Sequence, residues 1–251
     1  MSANPFSLEG KTILVTGASS GIGKATAIGC SKLGATVWLL ARNREKLNVV
    51  LGLLEGKDKN HGVIVADLSK EEELLAIISE LPQLDGLVSN AGTSEIVPLT
   101  FYNLDKLEKV FSVNTFAPML LVRALLKKKK LNKLASVVFT TSIGGVYLSS
   151  KSNGIYESSK NALYAYMRVA ALELASKGIR VNSVSPGMVE TDFIHGGAIS
   201  DEQLEKDKKM YALGRYGTPF DIAHAIIYLL SDAAGWVTGT DIKIDGGRTL
   251  I

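Results

Sequence analysis

Short runs of β-branched and apolar residues recur along the whole chain: TILVT (Thr12–Thr16), TVWLLA (36–41), GVIVA (62–66), DGLVS (85–89), SVVFTT (136–141) and RVNSVS (180–185). None alternates cleanly between polar and apolar, so each reads as a strand covered on both faces. The segments between them (23–33, 44–54, 70–81, 104–130 and 156–177) place apolar residues at helical spacing. A chain that repeats strand, helix, strand in this way has few options. Right-handed crossovers lay its helices on both faces of a parallel sheet, which predicts a doubly wound α/β architecture of about seven strands. No Pro/Ser-rich linker, internal repeat or composition break interrupts the 251 residues, so one domain spanning 1–251 is expected. The longest departure from the alternation is 187–216, between a strand and a helix opening near Pro219; insertions of this length are often lids over a site. Gly196 and Gly197 would serve as its hinge.

Directly after the first run comes TGASSGIG, with glycines at 17, 21 and 23, and a helical pattern follows at once. Glycines permit the tight turn and a close backbone approach, and a helix N-terminus presents free N–H groups and the positive end of its dipole. Between the first strand and first helix of a βαβ chain this predicts a pyrophosphate cradle, and so a Rossmann-type dinucleotide site. The second strand ends in WLLARNREK, with no acid to bind a ribose 2′-hydroxyl but with Arg42 and Arg44 just beyond. Arginine suits bidentate phosphate contact, so NADP(H) is favoured over NAD(H). Asp67 in ADLS and Asn90 in SNAG close the third and fourth strands at the carboxyl edge, where such sheets bind ligands.

Three of the eight tyrosines have a lysine four residues on: Tyr102, Tyr147 and Tyr156. The i, i+4 spacing puts two side chains on one face only within a helix. YNLDK straddles a helix start, with Asn103 or Asp105 as N-cap, and YLSSK lies in a Gly/Ser/Asn-rich loop where Tyr147 and Ile143 are at most pocket walls. YESSK alone opens a long helical pattern, ended by Gly178. There Lys160 can stabilise a Tyr156 phenolate and lower its pKa, while Ser142, in TTSIGG, supplies a hydroxyl to polarise a carbonyl. Asn114, a weak helix former inside the helical stretch FSVNT, is a candidate holder of a relay water.

TGASSGIG, NAG, VN, Ser142, YESSK and SPG appear in the order and at about the intervals of the classical short-chain dehydrogenase/reductases, and the resemblance runs from Lys11 to DIKIDGG. It is closest to the 3-oxoacyl-(acyl carrier protein) reductases. The resemblance implies a catalytic tetrad of Asn114, Ser142, Tyr156 and Lys160: tyrosine as general acid/base, serine orienting the carbonyl, lysine lowering the tyrosine pKa and binding ribose, asparagine holding the relay water. It implies a cofactor set of Gly17, Ser19, Ser20, Gly21, Ile22, Gly23, Arg42, Asp67, Leu68, Asn90, Ala91, Gly92, Tyr156, Lys160, Pro186, Gly187, Val189 and Thr191. A homotetramer built through the helices of 104–130 and 156–177 is implied as well. Leu172 stands where those reductases commonly carry an arginine for the acidic carrier, leaving Lys133 and the lysines of 127–130 to attract it.

The expected activity is NADPH-dependent hydride transfer between nicotinamide and a carbonyl or secondary alcohol. The substrate is a small carbonyl compound or an acyl thioester, with a sugar, polyol or steroid ketone as the alternative class. A dinucleotide-binding sensor or scaffold without turnover is the rival, and it has no need of Ser142, Tyr156 and Lys160 together. A net charge of +3 and a single isolated lysine cluster without interleaved aromatics argue against a nucleic-acid binder. One cysteine, Cys30, and three scattered histidines offer no zinc-ligand spacing. No apolar run reaches about 18 residues and MSANPFSLEGK lacks a signal pattern, so no membrane contact and a cytoplasmic location are expected.

Overall fold

A computed structural model describes residues 4–191 and 201–251; the glycine pair at 196 and 197 lies outside them. Seven parallel strands form one sheet in the order β3-β2-β1-β4-β5-β6-β7. They are β1 (Thr12–Thr16), β2 (Thr36–Ala41), β3 (Gly62–Val65), β4 (Leu84–Ser89), β5 (Leu131–Thr140), β6 (Arg180–Pro186) and β7 (Asp241–Ile244). The helices are α1 (Gly21–Lys32), α2 (Arg44–Leu51), α3 (Glu71–Ala76), α4 (Leu104–Phe111), α5 (Ala117–Lys127), α6 (Gly154–Leu174), α7 (Asp201–Lys208) and α8 (Pro219–Leu230).

Alternation along β1 shows why the strand runs are apolar throughout. Leu14 packs into a cluster with Leu74, Leu121 and Leu163 from α3, α5 and α6. Its neighbours Ile13 and Val15 face the other side, against Ala27 and Cys30 of α1, Leu47 of α2 and Ile226 of α8. Two cores therefore sandwich the sheet, as the doubly wound pattern requires. Because all seven strands run the same way, their carboxyl ends lie along one edge, and the segments that follow them meet there.

The helix expected over 104–130 is interrupted. Asn103 caps α4 by accepting from the Lys106 N–H (3.0 Å). The stretch Ser112–Phe116 then widens into a π turn before α5 opens, with Pro118 in its first turn. Such turns re-aim side chains, and this one contains Asn114. Taken together Leu104–Lys127 is long and apolar enough to cross a membrane by length and composition, but half of its most apolar window is buried within the fold. The lysines of 127–130 form the end of α5 and the turn into β5, where Lys130 donates to the Leu81 carbonyl. α8 starts on a full capping box, Thr218 accepting from Asp221 N–H while Asp221 accepts from Thr218 N–H (2.7 Å).

Gly86 in β4 sits where β1 and α8 crowd the sheet: a Cβ there would lie 2.6 Å from Ile13 Cδ1 and 2.9 Å from Leu230 Cδ2. Gly86→Val is therefore expected to destabilise by about 1–3 kcal/mol through overpacking. Thermal unfolding should show a melting point lower by roughly 2–4 °C per kcal/mol for a chain of this size. An unchanged melting point would contradict that packing.

Candidate active site

A cleft of about 1150 Å³ runs along the carboxyl edge of the sheet. Sites for one drug-sized ligand fall at roughly 300–1,000 Å³, so this volume admits an extended dinucleotide and a second molecule. At one end Gly17 (φ +66°) turns the chain out of β1 so closely against Ala91 that a Cβ would approach its Cα to 2.9 Å. A Cβ at Gly23 would collide with the Gly17 carbonyl. The turn is held to the β4 loop by Thr16 Oγ1, which accepts from the N–H groups of Asn90 and Ala91 (3.0 Å each). The glycine cradle thus fits a pyrophosphate laid on the N-terminus of α1, since side chains would fill the space that backbone N–H groups leave open.

Arg42 is exposed directly after β2, and Lys46, on the first turns of α2, lines the same part of the cleft. Asp67 follows β3. Burial raises its pKa, but bonds from Ser69 Oγ (2.7 Å) and Ser69 N–H (3.0 Å) and the nearby Arg42 and Lys70 outweigh this, leaving it below the ordinary value.

At the centre Ser142 caps the turn after β5, its Oγ accepting from the Gly144 N–H (3.1 Å). The Tyr156 hydroxyl is hydrogen-bonded to Ser142. Lys160, one turn along α6 and 3 % exposed, donates to the Thr140 carbonyl (2.8 Å) with Nζ 5.9 Å from the Tyr156 ring centroid. Burial, with no carboxylate to offset it, pulls the Lys160 pKa down to about 8. Tyr156 departs from expectation. Burial raises its pKa, the Ser142 bond opposes this, and Glu157 adds to the rise. The Ser142 bond is the one group among these that favours the phenolate, and burial outweighs it.

Asn114 is fully buried and does not line the cleft. Its Oδ1 accepts from Thr93 N–H (2.9 Å), and its two amide hydrogens go to Thr93 O and Ser159 Oγ (2.9 Å each). No side-chain donor is left to hold a water. Gly23 likewise sits behind the wall. Every other predicted site residue lines the cleft: Ser19, Ser20, Gly21, Ile22, Leu68, Asn90, Ala91, Gly92, Pro186, Gly187, Val189 and Thr191 with those above. Val189 bridges to Gly217, and Thr191 lies against Gly21, so the segment after β6 closes toward the glycine turn.

Ile143 lines the cleft as expected, whereas Tyr147 does not; its hydroxyl donates to Asp241 Oδ2 (3.0 Å) on the far side of β6. Sequence reasoning missed Lys46, Thr93, Tyr211, Tyr216 and Arg248. A signal existed for Arg248, because it follows the last strand at the same carboxyl edge. Tyr211 and Tyr216 fall within the 187–216 insertion expected to act as a lid, but nothing in the sequence singles them out inside it.

The family model described as enoyl-(acyl carrier protein) reductase matches residues 17–249. The 3-oxoacyl-(acyl carrier protein) reductase FabG of Rickettsia felis is 36% identical over 245 residues, covering 97% of this chain and 99% of the relative. A short-chain type dehydrogenase/reductase from Mycobacterium marinum superposes with a TM-score of 0.89 at 30% identity, covering 98% of both chains. A structure described as a 2-deoxy-D-gluconate 3-dehydrogenase from Agrobacterium tumefaciens, with NADP bound, gives 0.87 at 29% identity, covering 99% of this chain and 100% of that one. The chain belongs to the short-chain dehydrogenase/reductase family. It is an oxidoreductase of alcohol and carbonyl groups.

Lys160 provides a test of the site's electrostatics. Its folded pKa of about 8 lies below the ordinary 10.5, so between those values the unfolded chain binds more protons and stability rises with pH. Relative to Lys160→Met, the parent should gain stability from pH 7.5 to 10, read as urea midpoints at each pH. Parallel pH profiles for the two proteins would refute the shift.

Proposed function

We propose that the protein is an NADPH-dependent carbonyl reductase working through Ser142, Tyr156 and Lys160, with 3-oxoacyl thioesters as the leading substrate class. The hydrogen-bonded Ser142 and Tyr156 hydroxyls on the cleft wall, with buried Lys160 behind them, carry this reading. A carbonyl oxygen placed between the two hydroxyls would be polarised by both. Tyr156 gives up its proton as charge develops on that oxygen, and takes it back in the reverse direction. Lys160 uses one N–H on Thr140 and keeps two for ribose hydroxyls. A bound nicotinamide supplies the hydride and, when oxidised, the positive charge that the protein itself does not place beside Tyr156. Asn114 acts on this reading as the clamp that sets where Lys160 lies; any relay water would rest on main-chain carbonyls.

The glycine turn would hold the pyrophosphate, and Asp67 with Leu68 the adenine end. Arg42 and Lys46 favour a 2′-phosphate, since no acid closes β2. NADP in the Agrobacterium relative supports the same preference. Met188, Leu204, Tyr211 and Tyr216, all between 187 and 216, would form the substrate wall and lid within one domain. The FabG relative supports an acyl carrier partner. Leu172 is 80 % exposed on the outer face of α6, but Arg168 one turn earlier offers that face a cation. Exposed Leu104, Phe116, Val169 and Leu172 on α4 to α6 support a homotetramer, and a cytoplasmic location accords with this reading.

Tyr156→Phe should lower turnover of a 3-oxoacyl thioester by roughly 10²–10⁴-fold, the range of lost acid–base catalysis. NADPH binding, followed by fluorescence, should persist; retained turnover would sink the assignment. Arg42→Ala should lower the NADPH/NADH ratio of kcat/KM by roughly 10- to 100-fold, as loss of a charge-assisted phosphate contact implies. An unchanged ratio would refute the coenzyme argument.

A further inference from the structure

We infer that Arg248 is an anion-recognition residue of the substrate end of the cleft, selecting carbonyl substrates that carry a free carboxylate in preference to 3-oxoacyl thioesters; this rests on the carbonyl-reductase reading but replaces its leading substrate class. Arg248 follows β7 and lines the cleft. Its guanidinium lies 6.0 Å from the Tyr211 ring centroid and has a long contact to Met210 Sδ (3.9 Å). Among the described residues it makes no ion pair. The carboxylates nearby are engaged elsewhere. Asp245 accepts from Thr249 N–H, Thr249 Oγ1 and Gly247 N–H, and Asp207, also on the cleft wall, accepts from the Tyr216 hydroxyl (2.9 Å).

Position separates this cation from the cofactor. Sheet order puts β7 at the opposite edge from β2 and β3, where Arg42 and Asp67 lie, with β5 and Ser142 between. Tyr211 packs against Gly187, 3.2 Å from where a Cβ would stand, and its hydroxyl accepts from Met188 N–H (3.1 Å). Arg248 therefore faces the second molecule of the cleft, backed by a fixed aromatic ring. A half-buried guanidinium without a protein anion is most strongly matched by a carboxylate in bidentate geometry. An acyl thioester's arm phosphate has the same charge, and the test separates the two.

The parent, Arg248→Ala and Arg248→Lys are assayed with NADPH on straight-chain (ω−1)-oxo acids of five to eight carbons, their methyl esters, and acetoacetyl-coenzyme A beside the neutral acetoacetyl N-acetylcysteamine thioester. The parent should prefer at least one oxo acid over its ester, and Arg248→Ala should lower kcat/KM for that acid by roughly 10- to 100-fold while leaving the ester within about 3-fold. Arg248→Lys should recover part of the loss. Calorimetric titration of glutarate into the parent with NADP⁺ should show binding that Arg248→Ala abolishes. Equal losses on acid and ester, or no preference in the parent, overturn the inference. So does dependence on Arg248 confined to the coenzyme A thioester, which assigns the residue to a phosphate. Glutarate binding lost in Arg248→Ala, with no carbonyl compound reduced by the parent, would uphold the anion site and defeat the reductase reading instead.

Discussion

The side-chain amide of Asn114 is the joint on which the placement of Lys160 behind Ser142 and Tyr156 depends. It is buried at zero exposure, and all three of its bonds link elements far apart in sequence, the loop after β4 at Thr93 and helix α6 at Ser159. A buried amide stripped of partners would cost about 1–3 kcal/mol per unsatisfied group, so the two segments are held in one relative position. Lys160 follows Ser159 directly, and Gly92 precedes Thr93. A Cβ on Gly92 would stand 3.4 Å from both Asn114 Oδ1 and Lys160 Nζ, which shows how closely the three converge. The π turn makes this possible by pointing Asn114 inward between α4 and α5.

That rigidity has an electrostatic counterpart. Lys160 is buried against a carbonyl, a dipole and not a charge, and burial holds it near pH 8. Tyr156 is pushed above its ordinary value by the same desolvation. Burial therefore disfavours the charged form of each group, the ammonium and the phenolate alike.

The strand runs were legible because burial on both faces leaves no room for polar alternation, and six of seven strands follow from it. The seventh, DIKI, is short and mixed, half-exposed at the sheet edge, and carries little such signal. The interruption at Ser112–Phe116 was not legible in the apolar pattern of 104–130, since a phase shift confined to one turn is too short to stand out in it. Asn114 stood out as an unusual residue, yet its work as a clamp depends on Thr93 and Ser159, which only the fold brings near. Of the three Tyr-to-Lys pairs only Tyr156 and Lys160 share a helix and line the cleft; Tyr147 lies outside a helix and its hydroxyl is taken by Asp241, while burial and that carboxylate push its pKa up to about 12. Tyr102 precedes the Asn103 cap, as expected, and its buried hydroxyl has no bond partner among the described residues.

Parallel topology also divides labour along the cleft. Segments after β1 to β3 carry the features suited to a dinucleotide, and those after β5 carry the reactive hydroxyls. The wall after β6 is built separately: Tyr211 and Tyr216 meet edge to face at 5.4 Å and, with Met188 and Leu204, form a small cluster outside both main cores. None of these four belongs to either layer that sandwiches the sheet. Residues that shape this wall can therefore change with little cost to the two main cores, which leaves the packing of the sheet and the form of the cleft's far end in different parts of the molecule.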